Sequence, residues 1–291
     1  MSTDDTSRSR LYDRVAEETA SIVIRRYSTS FGLASRLLDV SVRQHVENIY
    51  ALVRIADEIV DGAAEESGLD MVAAARQLNE LERETDDAMA HGFSANLVVH
   101  AFALTARETG FGTELTAPFF ESMRTDLSAK QHDQASFDRY VYGSAEVVGL
   151  MCLRAFLRRR PETEYDDLVP GARALGAAFQ KVNFLRDLAA DFDTLGRSYF
   201  PDVTVESFGE GDKNRLLDDI DADLALSAAT IPRLPAGSRR AVALAHGLFA
   251  ELSARLRATP AERLRRVRVR VPNPVKLRIA TGAALGRTPR P

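Results

Sequence analysis

An all-α fold is predicted for this sequence: one helical domain spanning residues 1–291, with its helices arranged around a central cavity. Three observations predict it. Apolar residues recur at helical spacing in segment after segment. No alternating strand pattern of useful length comes between them. Two of the apolar helices each carry a pair of aspartates in line with hydrogen-bonding residues. Setting ionised carboxylates into an apolar lining costs on the order of several kcal/mol each unless something compensates, so the two helices are expected to face a shared positive charge.

The elements follow in order. Met1 to Arg10 is polar, reads as disordered and lacks the apolar core of a secretory signal. Leu11 to Arg26 reads as a helix, followed by a hydroxyl-rich turn, Tyr27-Ser28-Thr29-Ser30-Phe31-Gly32. Ser41 with Gln44 predicts a capping box for the first acidic helix, and Gly62 predicts its C′ stop. Amphipathic segments cover 70–90 and 94–110, and Thr116 with Pro118 opens a helix toward Lys130. Ser136 is expected to cap a long helix through Arg159, where Gly143, Ser144, Ala145 and Gly149 would let a neighbour or ligand come close. The second acidic helix runs from Tyr165 to Asp193. Gly196, the loop Arg197 to Pro201 and a Gly- and Asp-rich surface connection over 202–215 follow it. Helices near 214–230 and 237–257 precede an Arg-rich tail, in which 265–271 alternates Arg and Val as a short extended piece would. No short repeat of the solenoid type is present.

At about 100° per residue, Tyr50, Arg54, Asp57 and Asp61 fall within about 60° of one helix face, with Val46, Ile49, Val53 and Val60 on or beside that stripe. By the same geometry Gln180, Asn183, Asp187 and Asp191 share a sector of about 80°. Four carboxylates and an amide oxygen, with no Cys or His nearby in sequence, suit a hard cation that takes oxygen ligands and keeps water, Mg²⁺ above all. Such cations usually bridge protein acids to a phosphate-bearing substrate. Arg54 and Arg186 suit either a structural ion pair or diphosphate binding. Tyr140 and Tyr142, by spacing alone, read as core aromatics. The cluster Arg263, Arg265, Arg266, Arg268 and Arg270 suits a solvated face, a nucleic-acid patch, an anionic-membrane contact or a lid over phosphates.

Composition narrows the class. Hydrophobic residues make up 45% of the chain, enough for a sizeable core, and a formal net charge of -4 argues against global nucleic-acid affinity. The lone Cys152 excludes an intramolecular disulfide and fits a reducing cytoplasm. No apolar run of about 18 or more residues is present, so no membrane span is expected. The five histidines lie scattered without metal spacing. There is no dinucleotide glycine fingerprint and no Walker A loop, which argues against nicotinamide or nucleoside triphosphate use.

Taken together, these residues resemble the phytoene synthase/squalene synthase family of head-to-head prenyl transferases, from Tyr27 to Lys276. The strongest parts are Tyr50-x₃-Arg54-x₂-Asp57-x₃-Asp61 and Gln180-x₂-Asn183-x₂-Arg186-Asp187-x₃-Asp191, the latter followed by Gly196-Arg197-x-Tyr199-x-Pro201. Ser28-x-Ser30-Phe31, Asp126-Leu127, Tyr140-x₄-Ala145-x₃-Gly149 and Lys276-Leu277 match more weakly. The resemblance implies an isoprenoid-synthase-type helical bundle with Mg²⁺ (or Mn²⁺) ions bridging both acid pairs to prenyl diphosphates. Ser28, Ser30, Phe31, Tyr50, Arg54, Gln180, Asn183 and Arg186 match substrate-binding positions, Asn183 also serving the metal. Tyr140 matches a tyrosine near the reacting carbons, and Arg266 a diphosphate-contacting arginine. Glu146, Lys181 and Phe249 depart from the usual glycine, apolar residue and tyrosine.

The likeness is nearest to short bacterial carotenoid enzymes. It implies joining of two geranylgeranyl diphosphates to phytoene without NADPH, with squalene or dehydrosqualene formation from farnesyl diphosphate as the alternative. A helical binding protein without turnover is the reading of another class. A long hydrocarbon product implies peripheral contact with the inner membrane face.

Overall fold

The structure, a computed structural model, describes residues 5–128, 131–190, 199–204 and 207–289. Asp191, Gly196, Arg197 and the side chain of Ser30 lie outside the described residues. Helix α1 (Asp5–Tyr27) begins six residues before Leu11, so part of the expected disordered start is helical; residues 5–10 hold no Gly or Pro to stop it. The expected turn at 27–32 is instead a short helix, α2 (Thr29–Ser35). Its hydroxyl-rich start works as a cap, Ser28 Oγ accepting from Phe31 N at 3.0 Å.

Helix α3 (Val40–Asp61) carries the first acid stripe. Its N-cap is Asp39, and the expected box does not form because Gln44 turns toward α1, donating to Glu17 O (3.0 Å) and Asn48 Oδ1 (2.9 Å). Gly62 ends the helix as expected. After the turn α4 (Ala63–Glu66) come α5 (Met71–His91), capped by Asp70, and α6 (Leu97–Thr109), capped by Asn96. Both of the longer helices end on left-handed glycines, Gly92 and Gly110.

Helix α7 (Thr113–Ser128) starts three residues ahead of Thr116, since Glu114 Oε1 accepts the Gly112 N–H at 2.9 Å and closes the first turn there. Asp133 rather than Ser136 caps α8 (Gln134–Val141), its Oδ1 accepting from Ser136 N at 2.7 Å. A π-helical turn, Tyr142–Glu146, then joins α8 to α9 (Val147–Leu157). The second acid stripe lies on α10 (Glu162–Ala190).

The described part of the connection beyond α10 is not wholly solvated. Tyr199, Phe200, Val203 and Phe208 are all buried and anchor it to the core. Helices α11 (Glu210–Thr230), α12 (Ala236–Ala258), α13 (Ala261–Leu264) and α14 (Asn273–Ala284) complete the chain. No strand forms at 265–271: Val269 and Val271 pack on the core in a stretch without regular structure.

Two apolar clusters divide α10 between them. One gathers Ile49, Leu52, Phe102, Phe119 and Met151, and the other Phe137, Phe184, Leu185, Leu217 and Ile220. Side chains buried this fully contribute roughly 1.5–3 kcal/mol each. The π turn and α9 run antiparallel to α10 at main-chain distance. A Cβ at Gly149 would stand 2.7 Å from Ala172 O, and one at Gly176 would stand 2.6 Å from Ala145 O. Only glycine permits that approach. Gln134–Leu157 is long and apolar enough to cross a membrane, but half of its apolar window is buried inside the protein, as in the core helix of a globular fold.

Candidate active site: two acidic helix faces above an apolar cavity

Periodicity alone brought the first stripe together on α3, and the fold sets its first residue, Tyr50, in the wall of a cavity of ≈ 290 Å³. Tyr50 and Val53 line that cavity from α3, Gln180 and Asn183 from α10, and Phe31 from α2. Below them the wall is apolar, built from Ile49, Val148, Leu175 and their neighbours. Phe31 sits among Tyr50 (6.4 Å between ring centroids), Phe179 (5.8 Å) and Phe249 (6.0 Å). Ser28 reaches the same corner, hydrogen-bonding the Tyr50 hydroxyl. Burial raises the Tyr50 pKa, partly offset by Arg54.

The acids differ in their surroundings. Asp57 is half-buried, with 42% of its side chain accessible. Burial, reinforced by the charges of Asp61 and Glu58 and opposed by Arg54, pushes its carboxyl up to about 6. Arg54 Nη1 donates to Asp57 Oδ2 at 3.1 Å, and its Nη2 pairs with Glu58. The guanidinium also lies 4.6 Å from the Tyr27 ring centroid. Its Nε is buried with no hydrogen-bond acceptor.

On α10, Asp187 accepts from two guanidiniums. Arg186 Nε reaches Oδ1 at 3.0 Å, and Arg268 contacts Oδ1 at 2.7 Å and Oδ2 at 3.1 Å. Arg266 does not reach the site: it is 76% exposed and pairs with Glu262 one helical turn away. Beside Asp187 opens a second, cation-lined pocket of ≈ 380 Å³, walled by Arg186, Arg268, Arg270, Asn273 and Lys276 over Leu248 and Phe249.

Tyr140 stands off the cavity wall, one turn before Ser144 and Ala145, which line it. Its hydroxyl donates to both oxygens of Asp126, at 2.7 and 2.9 Å. Burial first, then the Asp126 charge, raises the phenol well above its ordinary range. His132, Phe184 and Tyr199 pack around the ring. Sequence reasoning did not single out Glu58 as part of the site, although its i,i+4 spacing from Arg54 was a local signal. Arg268 and Tyr199 were named only within an arginine cluster and a motif, with no role of their own.

Residues 24–274 match the sequence profile of squalene/phytoene synthases. The chain belongs to the squalene/phytoene synthase family. Within that family, chloroplastic phytoene synthase 3 of Zea mays is 31% identical over 202 residues, covering 67% of this chain and 44% of that protein. The 15-cis-phytoene synthase of Pantoea ananas is 30% identical over 193 residues, 64% of this chain and 60% of its own length. The chain thus spans less than two thirds of the curated relatives named here. A crystal structure of a dehydrosqualene synthase in complex with ligand superposes with a TM-score of 0.76, covering 93% of this chain and 96% of that one. At 22% identity that likeness is one of fold, the isoprenoid-synthase helical fold.

The departures from the family pattern acquire structural accounts. Glu146 pairs with Arg173 at 2.6 Å, and Lys181 ties α10 to α11 through Asp219 (2.6 Å) and Asp223 (2.8 Å). Phe249 stacks on Phe179 with ring centroids 3.8 Å apart.

Proposed function

We propose that this squalene/phytoene synthase family member joins two geranylgeranyl diphosphates head to head, giving phytoene by way of a cyclopropylcarbinyl diphosphate, in carotenoid biosynthesis. The observation that carries this reading is that Asp57 and Asp187 each follow, one helical turn on, the last residues of α3 and α10 that line one apolar cavity, Val53 and Asn183. A diphosphate head belongs at such an end of a cavity and a prenyl tail within it. Phytoene synthases among the relatives support the C₄₀ product over the C₃₀ alternative.

The donor set fits a hard divalent cation, Mg²⁺ or Mn²⁺. Asp57 is crowded by like charge that a cation would relieve, and the neighbouring donors are oxygens. Among the described residues no three Asp, Glu, His or Cys side chains converge, so an ion would complete its shell with diphosphate and water, as Mg²⁺ commonly does. Asp57, Asp61, Asn183, Asp187 and Asp191 are its proposed holders. When bound, the ion supplies Lewis-acid neutralisation of the leaving diphosphate.

The chain's own groups do the rest. Arg54 has a buried Nε–H to offer a diphosphate oxygen, and Arg186 and Arg268 can turn from Asp187 to the same kind of anion. The apolar wall keeps water from the allylic cation while the second substrate's double bond attacks it. After the second ionisation and rearrangement, Tyr140 or the released diphosphate takes the final proton. Asp126 behind Tyr140 offers the phenol's own proton a place to go. No NADPH enters this scheme.

The test is to feed purified protein each prenyl diphosphate with Mg²⁺, with and without NADPH, and weigh the hydrocarbon. A C₄₀ triene formed without NADPH is expected. A C₃₀ product formed in preference would transfer the assignment to the farnesyl reading, and folded protein releasing no diphosphate from either substrate would leave a non-catalytic binding protein. We also propose peripheral contact with an anionic inner membrane face through α14 and its C-cap, where Leu277 (68% exposed) stands between Lys276 and Arg278 in sequence and Leu285 (75%) ends the helix. Flotation with anionic vesicles at low salt tests it, and protein remaining at the bottom of the gradient removes the contact.

A further inference from the structure

Glu58 belongs to neither acid pair. It stands about 100° around α3 from Asp57 and about 60° from Asp61, and its side chain is only 19% exposed. Both of its carboxylate oxygens are engaged. Oε2 accepts the main-chain N–H of Ala63 at 2.9 Å, and Oε1 pairs with Arg54 Nη2. Gly62 is what lets the carboxylate fold back onto that N–H: a Cβ there would stand 2.5 Å from Oε2 and 3.1 Å from Cδ of Glu58.

The other end of this run of contacts is Arg54. Its Nη1 reaches Asp57 Oδ2 at 3.1 Å and its Nη2 is on Glu58, while Nε is enclosed with no acceptor. An enclosed N–H without a partner is destabilising, so the guanidinium takes its place from the two carboxylates and not from any bond at Nε. Those carboxylates are not equivalent. Asp57 is a proposed metal holder, and a carboxylate neutralised by a cation attracts a guanidinium less. Glu58, tied to main chain from behind, does not depend on that exchange.

We infer that Glu58 is a positioning residue, an anchor that keeps Arg54 at the acid stripe when Asp57 changes partner, and that Gly62 is the residue that lets the anchor seat. The inference rests on the proposed diphosphate substrate and adds the two residues that hold one of its binding groups in place. Substitution at Gly62 probes the anchor without removing a charge, because the atom in the way is the far end of a flexible side chain.

Calorimetry with Mg²⁺ gives the affinity for inorganic diphosphate and for geranylgeranyl thiolodiphosphate, and steady-state rates give kcat and KM. The proteins are wild type, Glu58→Ala, Glu58→Gln and Gly62→Ala, each also combined with Arg54→Ala and each checked for helix content. Glu58→Ala should weaken binding of both probes roughly 10–100-fold, the range of a lost charge-assisted hydrogen bond, and should raise KM by more than it lowers kcat. Glu58→Gln should recover part of that loss by keeping an acceptor for Ala63, and Gly62→Ala should shift affinity the same way by about threefold or more. Without Arg54, the Glu58 and Gly62 changes should each add less than about twofold, since their effect passes through the missing guanidinium. The Gly62→Ala cycle decides the matter where Glu58→Ala lowers helix content. Wild-type affinity in folded Glu58→Ala and Gly62→Ala, or losses that persist in full without Arg54, overturn the anchor and leave the proposed function standing. Wild-type protein that binds neither probe overturns both.

Discussion

The two acid-bearing helices look alike in sequence and differ in their electrostatics. On α3, Asp57 stands with Asp61 and Glu58 against the single guanidinium of Arg54, and its carboxyl is pushed up to about 6. On α10, Asp187 is held between Arg186 and Arg268, beside a pocket walled by further cations. The first face carries excess negative charge and is suited to drawing in a metal ion. The second carries excess positive charge and is suited to an anion. A metal diphosphate, with both charges in one ligand, complements the pair better than either face alone.

Removing one acid from each face tests the contrast most severely. Asp57→Asn and Asp187→Asn should each lower turnover on the order of 10³-fold or more while far-UV helix content is kept. Mg²⁺ affinity by calorimetry should fall more for Asp57→Asn. Near wild-type rates in either variant would end the metal assignment. Next in size is Arg268→Ala, which removes a charge-assisted pair and should cost roughly 10–100-fold in kcat/KM. Arg266→Ala should stay within about twofold, as expected of an exposed i,i+4 pair; equal losses at both positions would erase the distinction between them.

The sign of the Asp57 shift makes a smaller prediction. Its folded pKa of about 6 lies above the ordinary 3.8, so ionised Asp57 penalises the native state. The penalty is absent below pH 3.8, grows as pH rises from 3.8 to 6 and is complete above that. Without added metal, Asp57→Asn should therefore stabilise the fold at pH 7 by on the order of 1 kcal/mol, discounted because the group is partly exposed, and should be neutral at pH 3.5. Denaturant midpoints at the two pH values decide it. Smallest of all, Lys181→Met should destabilise by about 1 kcal/mol, losing two partly exposed pairs to α11, as read by thermal unfolding.

The acid stripes were legible because α-helical geometry is local: spacing alone brings Asp57 and Asp61 onto one face and Gln180, Asn183 and Asp187 onto another. Helix starts were less legible. Ser28 and its hydroxyl neighbours suit a turn and a cap equally well, and Glu114 closes the start of α7 from inside the helix. The choice between Arg266 and Arg268 could not be made from sequence, since 267–272 has no regular period to say which arginine faces Asp187. Tyr140 and Asp126 lie fourteen residues apart on different helices, and only their packing joins them.

The close seam between α9 and α10 bears on how such a protein diversifies. Where neighbouring helices touch through peptide carbonyls at Ala145 and Ala172, no exchange of side chains can broaden the channel on that side without prying the scaffold apart. Changes of girth are left to the facing walls, where Ile49, Val53 and Val242 present side chains. Descendants of this chain would be expected to widen the channel from α3 and α12 and to keep the glycine seam as its fixed edge.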